Sequence, residues 1–237
     1  MATADAKPMK ILALDTATAA CSVAVWADGT IRAQRLQPMV RGQSEALMPM
    51  VVAALAEAGL TFADLDAVAA TVGPGAFTGL RIGLAAARAM ALAANLPCLG
   101  VTTLEAVAAN VPESERDGAA VLVALDAKRA DVYAQVFSTA LVPLTEPGAV
   151  LPADLAGLLA GGPVVVAGDA APRAAEALAG AGIEARVSAA PGLPDAARVA
   201  AIAAGRSQAG RPALPPEPLY LRAPDVTLSA NSRGLRG

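Results

Sequence analysis

Histidine is absent from this 237-residue chain, and cysteine and aromatic residues are scarce. Without histidine the chain has no imidazole base, no Ser-His-Asp triad and no histidine metal ligand. Its two cysteines, Cys21 and Cys98, are too few and too far apart for a disulfide scaffold or a zinc cluster, and we interpret them as buried, reduced thiols. These absences argue against most hydrolase mechanisms and predict that the chain itself holds no metal.

Charge and long hydrophobic runs are also limited. The net charge of -3 and the pI near 5.0 provide no general attraction to phosphate backbones, so we expect no unaided nucleic-acid binding. Residues 82–96 form the longest apolar-rich stretch, which contains Arg88 and is too short for a membrane span. We expect no signal peptide before the first predicted strand. We expect a compact, cytoplasmic protein that does not enter a membrane.

Two segments share a pattern of strand, Leu-Asp, polar turn and strand. The first covers residues 10–26 and contains Leu14-Asp15, and the second covers residues 120–137 and contains Leu125-Asp126. Paired hairpins of this kind resemble the actin-like ATPase and sugar-kinase architecture, which is ribonuclease H-like. We therefore predict a duplicated α/β fold of two small subdomains, each with a mixed sheet and flanking helices, over residues 1–110 and 111–237.

Helices are predicted at residues 44–58, 77–94, 171–178 and 195–204. We expect Ser44 to cap the first helix and Pro49 to lie near its first turn or at a kink. The proline-rich residues 211–222 are expected to pack across the body, and residues 229–237 to form a mobile tail.

The first hairpin turn places Asp15, Thr16 and Thr18 where the actin-like architecture binds phosphate. The glycines usual at such a turn are missing, and Ala127-Lys128-Arg129 occupies the second turn. We interpret these as degenerate phosphate-loop positions, with Asp15 and Asp126 as structural turn residues. The alternative is a small ATP-dependent phosphotransferase in which Asp15 is the base and a turn threonine contacts phosphate.

A glycine-rich turn follows the next predicted strand and begins the helix at residue 77. Gly73 and Gly75 permit a tight reversal, and Phe77 is expected to anchor it in the core. Thr78 and Arg81 are suited to bind an anion at the helix start. The motif, which also includes Gly79, is not a Walker loop, because no Gly-Lys-Ser/Thr follows.

Four segments together resemble the bacterial TsaB family, also called YeaZ: residues 11–26, 73–83, 100–104 and 220–222. The resemblance implies a non-catalytic partner of TsaD. With the ATPase TsaE, these proteins form threonylcarbamoyladenosine beside the anticodon of tRNA. The resemblance also implies that this chain carries no cofactor and that ATP and metal belong to the partner subunits. It further implies that the chain contacts tRNA through the complex. The family often has histidine where this chain has Gln43. Its older glycoprotease label would require metal ligands, and this chain has no histidine to provide them.

In the TsaB family, the two helices of the first subdomain pair with the equivalent helices of TsaD, or with a second copy when the chain is alone. Mapped here, the predicted partner interface comprises Glu45, Leu47, Met48, Val51, Leu55, Ile82, Ala85 and Ala89. A third interpretation is a structural module that forms tight homodimers and does not bind the TsaD-like subunit.

Overall fold

A computed structural model of the protein describes residues 9–222, which form two five-stranded sheets with helices packed on them. The strands are β1 (Lys10–Asp15), β2 (Ala20–Ala27), β3 (Thr30–Pro38), β4 (Ala67–Gly73), β5 (Cys98–Thr102), β6 (Ala120–Asp126), β7 (Val132–Phe137), β8 (Gly148–Val150), β9 (Val164–Ala167) and β10 (Ala185–Val187). The helices are α1 (Gln43–Ala58), α2 (Phe77–Ala93), α3 (Thr103–Ala108), α4 (Glu113–Arg116), α5 (Ala171–Gly180) and α6 (Ala196–Gln208). No helix within residues 9–222 is long and apolar enough to cross a bilayer.

The two sheets have the same topology. The first has the order β3-β2-β1-β4-β5, and the second, read from its opposite edge, has the order β8-β7-β6-β9-β10. In each, an antiparallel hairpin is followed by a parallel strand beside its first member, β4 beside β1 and β9 beside β6. The matching order confirms the predicted duplicated, actin-like fold with mixed sheets.

The first sheet has a hydrophobic core on each face. Successive side chains of its central strand, β1, point alternately into these two cores. Leu12 and Leu14 pack with α1 and α2, whereas Ile11 and Ala13 pack with α6. All four of these side chains are fully buried. A strand buried on both faces reads as a continuous apolar run, which is the pattern of residues 11–14.

Helix α6 corrects the predicted division of the chain. Its buried residues belong to the core of the first sheet, together with Ile11 and Ala13. The backbone N–H of Gly100 on β5 also donates to the carbonyl oxygen of Leu214 at 2.9 Å. The chain therefore builds the second lobe from residues 120–187 and then returns to the first lobe, so the described part of the predicted range 111–237 is not one unit. The predicted tail at 229–237 lies outside the described residues.

The start of α1 also differs from the prediction. Gly42, with φ of 98°, occupies the position before the helix, whereas Ser44 lies inside it and bonds to the carboxylate of Glu45 at 2.8 Å. Ser44 is therefore not the cap. Pro49 lies within the helix, beyond the first turn, on the exposed side where water can reach the carbonyl that loses its partner.

Candidate functional site

Asp15 ends β1 and is fully buried. Its Oδ1 accepts hydrogen bonds from the Thr71 hydroxyl at 2.6 Å and from the Ala17 backbone N–H at 3.2 Å. Its Oδ2 has no hydrogen-bond partner among the described residues. Burial raises the pKa of this carboxyl to about 7, although the two hydrogen bonds oppose the shift. The side chain is thus directed into the fold, where it cannot take a proton from a substrate in solution.

The glycine-rich turn packs directly on the β1–β2 turn. The Thr16 hydroxyl donates to the Gly79 carbonyl oxygen, and the Ala76 N–H donates to the Ala17 carbonyl oxygen, each at 2.7 Å. A Cβ at Gly75 would lie 2.2 Å from the Ala17 oxygen. A Cβ at Gly79 would lie 2.1 Å from the Thr16 oxygen. These glycines therefore allow the two backbone segments to come into direct contact.

The turn between β6 and β7 is filled in a different way. Lys128 donates to Asp126 through both its backbone N–H and its ammonium group, each at 2.7 Å. The bond from Lys128 holds the pKa of Asp126 below its usual value. The Asp126 N–H donates to the Asp169 carboxylate at 2.8 Å, and burial raises the pKa of Asp169. These polar groups are therefore hydrogen-bonded to one another.

In both turns, groups that an actin-like kinase would use to hold nucleotide phosphates are bonded within the protein. Such a site needs free backbone N–H groups and an accessible carboxylate. Here the Ala17 and Lys128 N–H groups bond to neighbouring carboxylates, and Asp15 is enclosed. Within residues 9–222 no group of three or more acidic or cysteine side chains is placed to hold a metal ion.

Phe77 is exposed, which corrects its predicted role as a core anchor. Its side chain is 56% accessible, and the guanidinium carbon of Arg81 lies 3.4 Å from its ring centre. The ring of Tyr220, from the C-terminal segment, stacks beside it with centroids 5.9 Å apart and planes at 28°. Thr78 is also exposed. The motif thus builds a surface cluster at the start of α2.

Three residues of the predicted partner interface belong to the core of this chain. Leu47, Val51 and Leu55 on α1 are at most 5% exposed and pack against the first sheet. They are unavailable to a partner in this fold. Of the remaining predicted positions, Glu45, Met48, Ala85 and Ala89 are exposed and Ile82 is half-buried.

Two exposed apolar side chains on the same helices were not predicted from the sequence. Val52 on α1 is 60% exposed, and Leu92 near the end of α2 is 84% exposed. A groove of about 390 Å³ lies beside Leu92, between α2 and Cys98. The signal for Val52 was its spacing of four residues from Met48. We define the helix face as Met48, Val52, Ala85, Ala89 and Leu92.

Comparisons with known proteins identify relatives of this chain. A family model described as TsaD, tRNA N6-adenosine threonylcarbamoyltransferase, matches residues 38–171. The Escherichia coli tRNA threonylcarbamoyladenosine biosynthesis protein TsaB is 44% identical over 126 residues, 53% of each chain, so the match spans about half of that relative. An uncharacterised Mycobacterium tuberculosis protein, Rv3421c, is 37% identical over 220 residues, 91% of this chain and 93% of that protein. The structure of YeaZ from Pseudomonas aeruginosa has a TM-score of 0.78 and 28% identity, covering 90% of this chain and 100% of that chain.

Proposed function

The chain belongs to the TsaB (YeaZ) family, and on that premise we propose that it is a non-catalytic partner subunit in the formation of threonylcarbamoyladenosine in tRNA. The observation that carries this proposal is the packing of the glycine-rich turn on the β1–β2 turn. Thr16 and Ala17 bond to that turn where an actin-like kinase would hold phosphate. The chain then contributes a surface to the reaction, and another subunit contributes the reacting groups.

The buried state of Asp15 supports a structural role for this residue. A general base must reach the proton that it removes, at hydrogen-bond distance or through one water. The Asp15 carboxyl instead lies in the core and accepts hydrogen bonds from Thr71 and Ala17. Its contribution is to join the end of β1 to β4 and to the turn, which positions α2.

The partner that we propose is a TsaD-like subunit, with a TsaE-like ATPase in the same assembly. The helix face offers it exposed apolar side chains, of which Val52 and Leu92 are the most accessible. Burying each of these against a partner contributes about 2 kcal/mol before association costs are subtracted. In this proposal ATP and metal belong to the partner subunits, and the chain meets tRNA through the assembly.

An omission assay tests the role. The reaction contains tRNA, threonine, bicarbonate, ATP, the carbamoyl-AMP synthase, TsaD and TsaE, and mass spectrometry measures the modified adenosine with and without this chain. We expect product only when the chain is present, and expect the Asp15→Asn variant to support it as well as the wild type does. Equal product without the chain would remove the proposed role, and loss of product with Asp15→Asn would reopen a catalytic one.

A further inference from the structure

Aromatic side chains are rare on the surface of this protein, yet two of them lie together. Within residues 9–222, only Phe77 and Tyr220 are exposed aromatic residues, at 56% and 45%. They are distant in the sequence, but their ring centroids are 5.9 Å apart. Exposed aromatic residues beside an arginine are typical of the small regions that dominate protein–protein binding energy. We call Phe77, Arg81 and Tyr220 the aromatic cluster.

Arg81 leaves its hydrogen-bonding capacity open. Its guanidinium carbon is 3.4 Å from the Phe77 ring centre and 5.9 Å from that of Tyr220. Within the described part of the chain the Arg81 side chain forms no ion pair and no hydrogen bond. A guanidinium that lies over an aromatic ring can still donate N–H groups from its edge, and two of these suit a carboxylate.

Tyr220 reaches the cluster because the C-terminal segment, residues 211–222, is bound along its length. The Leu219 N–H donates to the Val72 carbonyl oxygen at 2.7 Å. A Cβ at Gly73 would lie 2.9 Å from the Leu219 oxygen, so a larger residue there would displace the segment. Two residues after Tyr220, Arg222 forms an ion pair with Asp131 of the second lobe. The chain is therefore held in place on both sides of Tyr220.

The aromatic cluster continues the helix face. Phe77, Arg81, Ala85 and Ala89 follow one another at intervals of four residues, so they lie along one side of α2. All four are exposed. Tyr220 widens this stripe at the start of the helix, where α2 by itself offers one ring. A partner that covers the helix face can therefore also contact the aromatic cluster.

We propose that the aromatic cluster is the anchoring end of the surface that binds the TsaD-like subunit. Arg81 pairs there with a carboxylate of that subunit, and the two rings cover an apolar side chain next to it. This inference rests on the proposed function and extends it, because it makes the C-terminal segment part of the binding surface. Arg222 acts as a positioning residue, since it holds Tyr220 through the chain and touches no partner.

Isothermal titration of the TsaD-like subunit into the full chain tests the proposal. Tyr220→Ala and Arg81→Ala are each expected to weaken binding by about tenfold or more, and Tyr220→Phe, which keeps the ring, to leave it nearly unchanged. In a double-mutant cycle the two alanine changes should combine to less than the product of their separate effects, since each removes part of one contact. Leu144→Ala, at a 59% exposed site on the second lobe, is the matched control and should have no effect.

The charged contact has its own signature. Binding of the wild type should weaken as salt is raised, and this dependence should be smaller for Arg81→Ala. Arg222→Ala should lower the affinity while thermal unfolding of the free chain stays close to that of the wild type. If the wild type binds the subunit and the Tyr220 and Arg81 variants bind equally well, this inference is wrong and the proposed function stands. If the wild type itself does not bind, the proposed function fails.

Discussion

Replacing Asp15 with asparagine is expected to stabilise the fold increasingly as the pH rises towards neutral, and to remove one source of its pH dependence. The Asp15 carboxyl has an ordinary pKa of 3.8, which burial raises to about 7 in the fold. Between these two values the unfolded chain releases the proton and the folded chain retains it. The folded state therefore binds more protons, and the free energy of unfolding falls as the pH rises.

The magnitude follows from the size of the shift. Each pH unit between the two pKa values lowers the free energy of unfolding by about 1.4 kcal/mol, and the full span amounts to about 4 kcal/mol. Above about pH 7 the folded carboxyl is ionised too, and the loss stays constant. Asparagine resembles the protonated carboxyl, because its amide oxygen can accept the bonds from Thr71 and Ala17.

Urea unfolding of the wild type and Asp15→Asn at several pH values between about 4.5 and 8 measures the effect. The advantage of the variant should be small at the acid end, grow to about 4 kcal/mol near pH 7, and then remain level. Asp117→Asn, at an exposed site, removes the same charge without a buried carboxyl and is the control. An advantage that is equal at all pH values would refute a raised pKa at Asp15.

Two further substitutions address the helix face and the contact between the turns. Leu92→Asp should abolish binding to the proposed TsaD-like partner in size-exclusion chromatography and leave the circular dichroism of the free chain unchanged, because Leu92 is 84% exposed. Val142→Asp on the second lobe is its control, and co-elution of the Leu92 variant with the partner would contradict the proposed role of the helix face. Gly79→Ala should lower the free energy of unfolding by at least about 3 kcal/mol, since its Cβ would lie 2.1 Å from the Thr16 oxygen. Gly205→Ala, in a helix with nothing within 4 Å, should instead raise it by up to about 1 kcal/mol, and equal melting temperatures for the two variants would count against the close packing.

Local patterns in the sequence predicted much of the fold. The repeated Leu-Asp hairpins indicated the duplication, and the alanine-rich run after the glycine turn predicted α2 nearly to its ends. Helix α3 was missed, although Thr102 and Glu105 form a capping box that the sequence displays. Each of these signals acts within a few residues, so the order of the amino acids is enough to show it.

The outward-facing surface was harder to predict. Helices α1 and α2 contain so many alanine, valine and leucine residues that apolar positions occur on every side, and periodicity does not separate core from surface. Leu47 and Val52, similar as residues, point in opposite directions. The difference between them arises from the first sheet, which covers one side of α1.

The sequence by itself determined the hairpins, the glycine turn, the family and the absence of histidine chemistry. Only the tertiary structure decided that Phe77 is exposed, that α6 returns to the first sheet, and that Tyr220 joins Arg81. The physical reason is the range of the interactions. Hydrogen bonds in turns and caps join near neighbours, whereas burial depends on segments that are far apart in the chain and meet only when it folds.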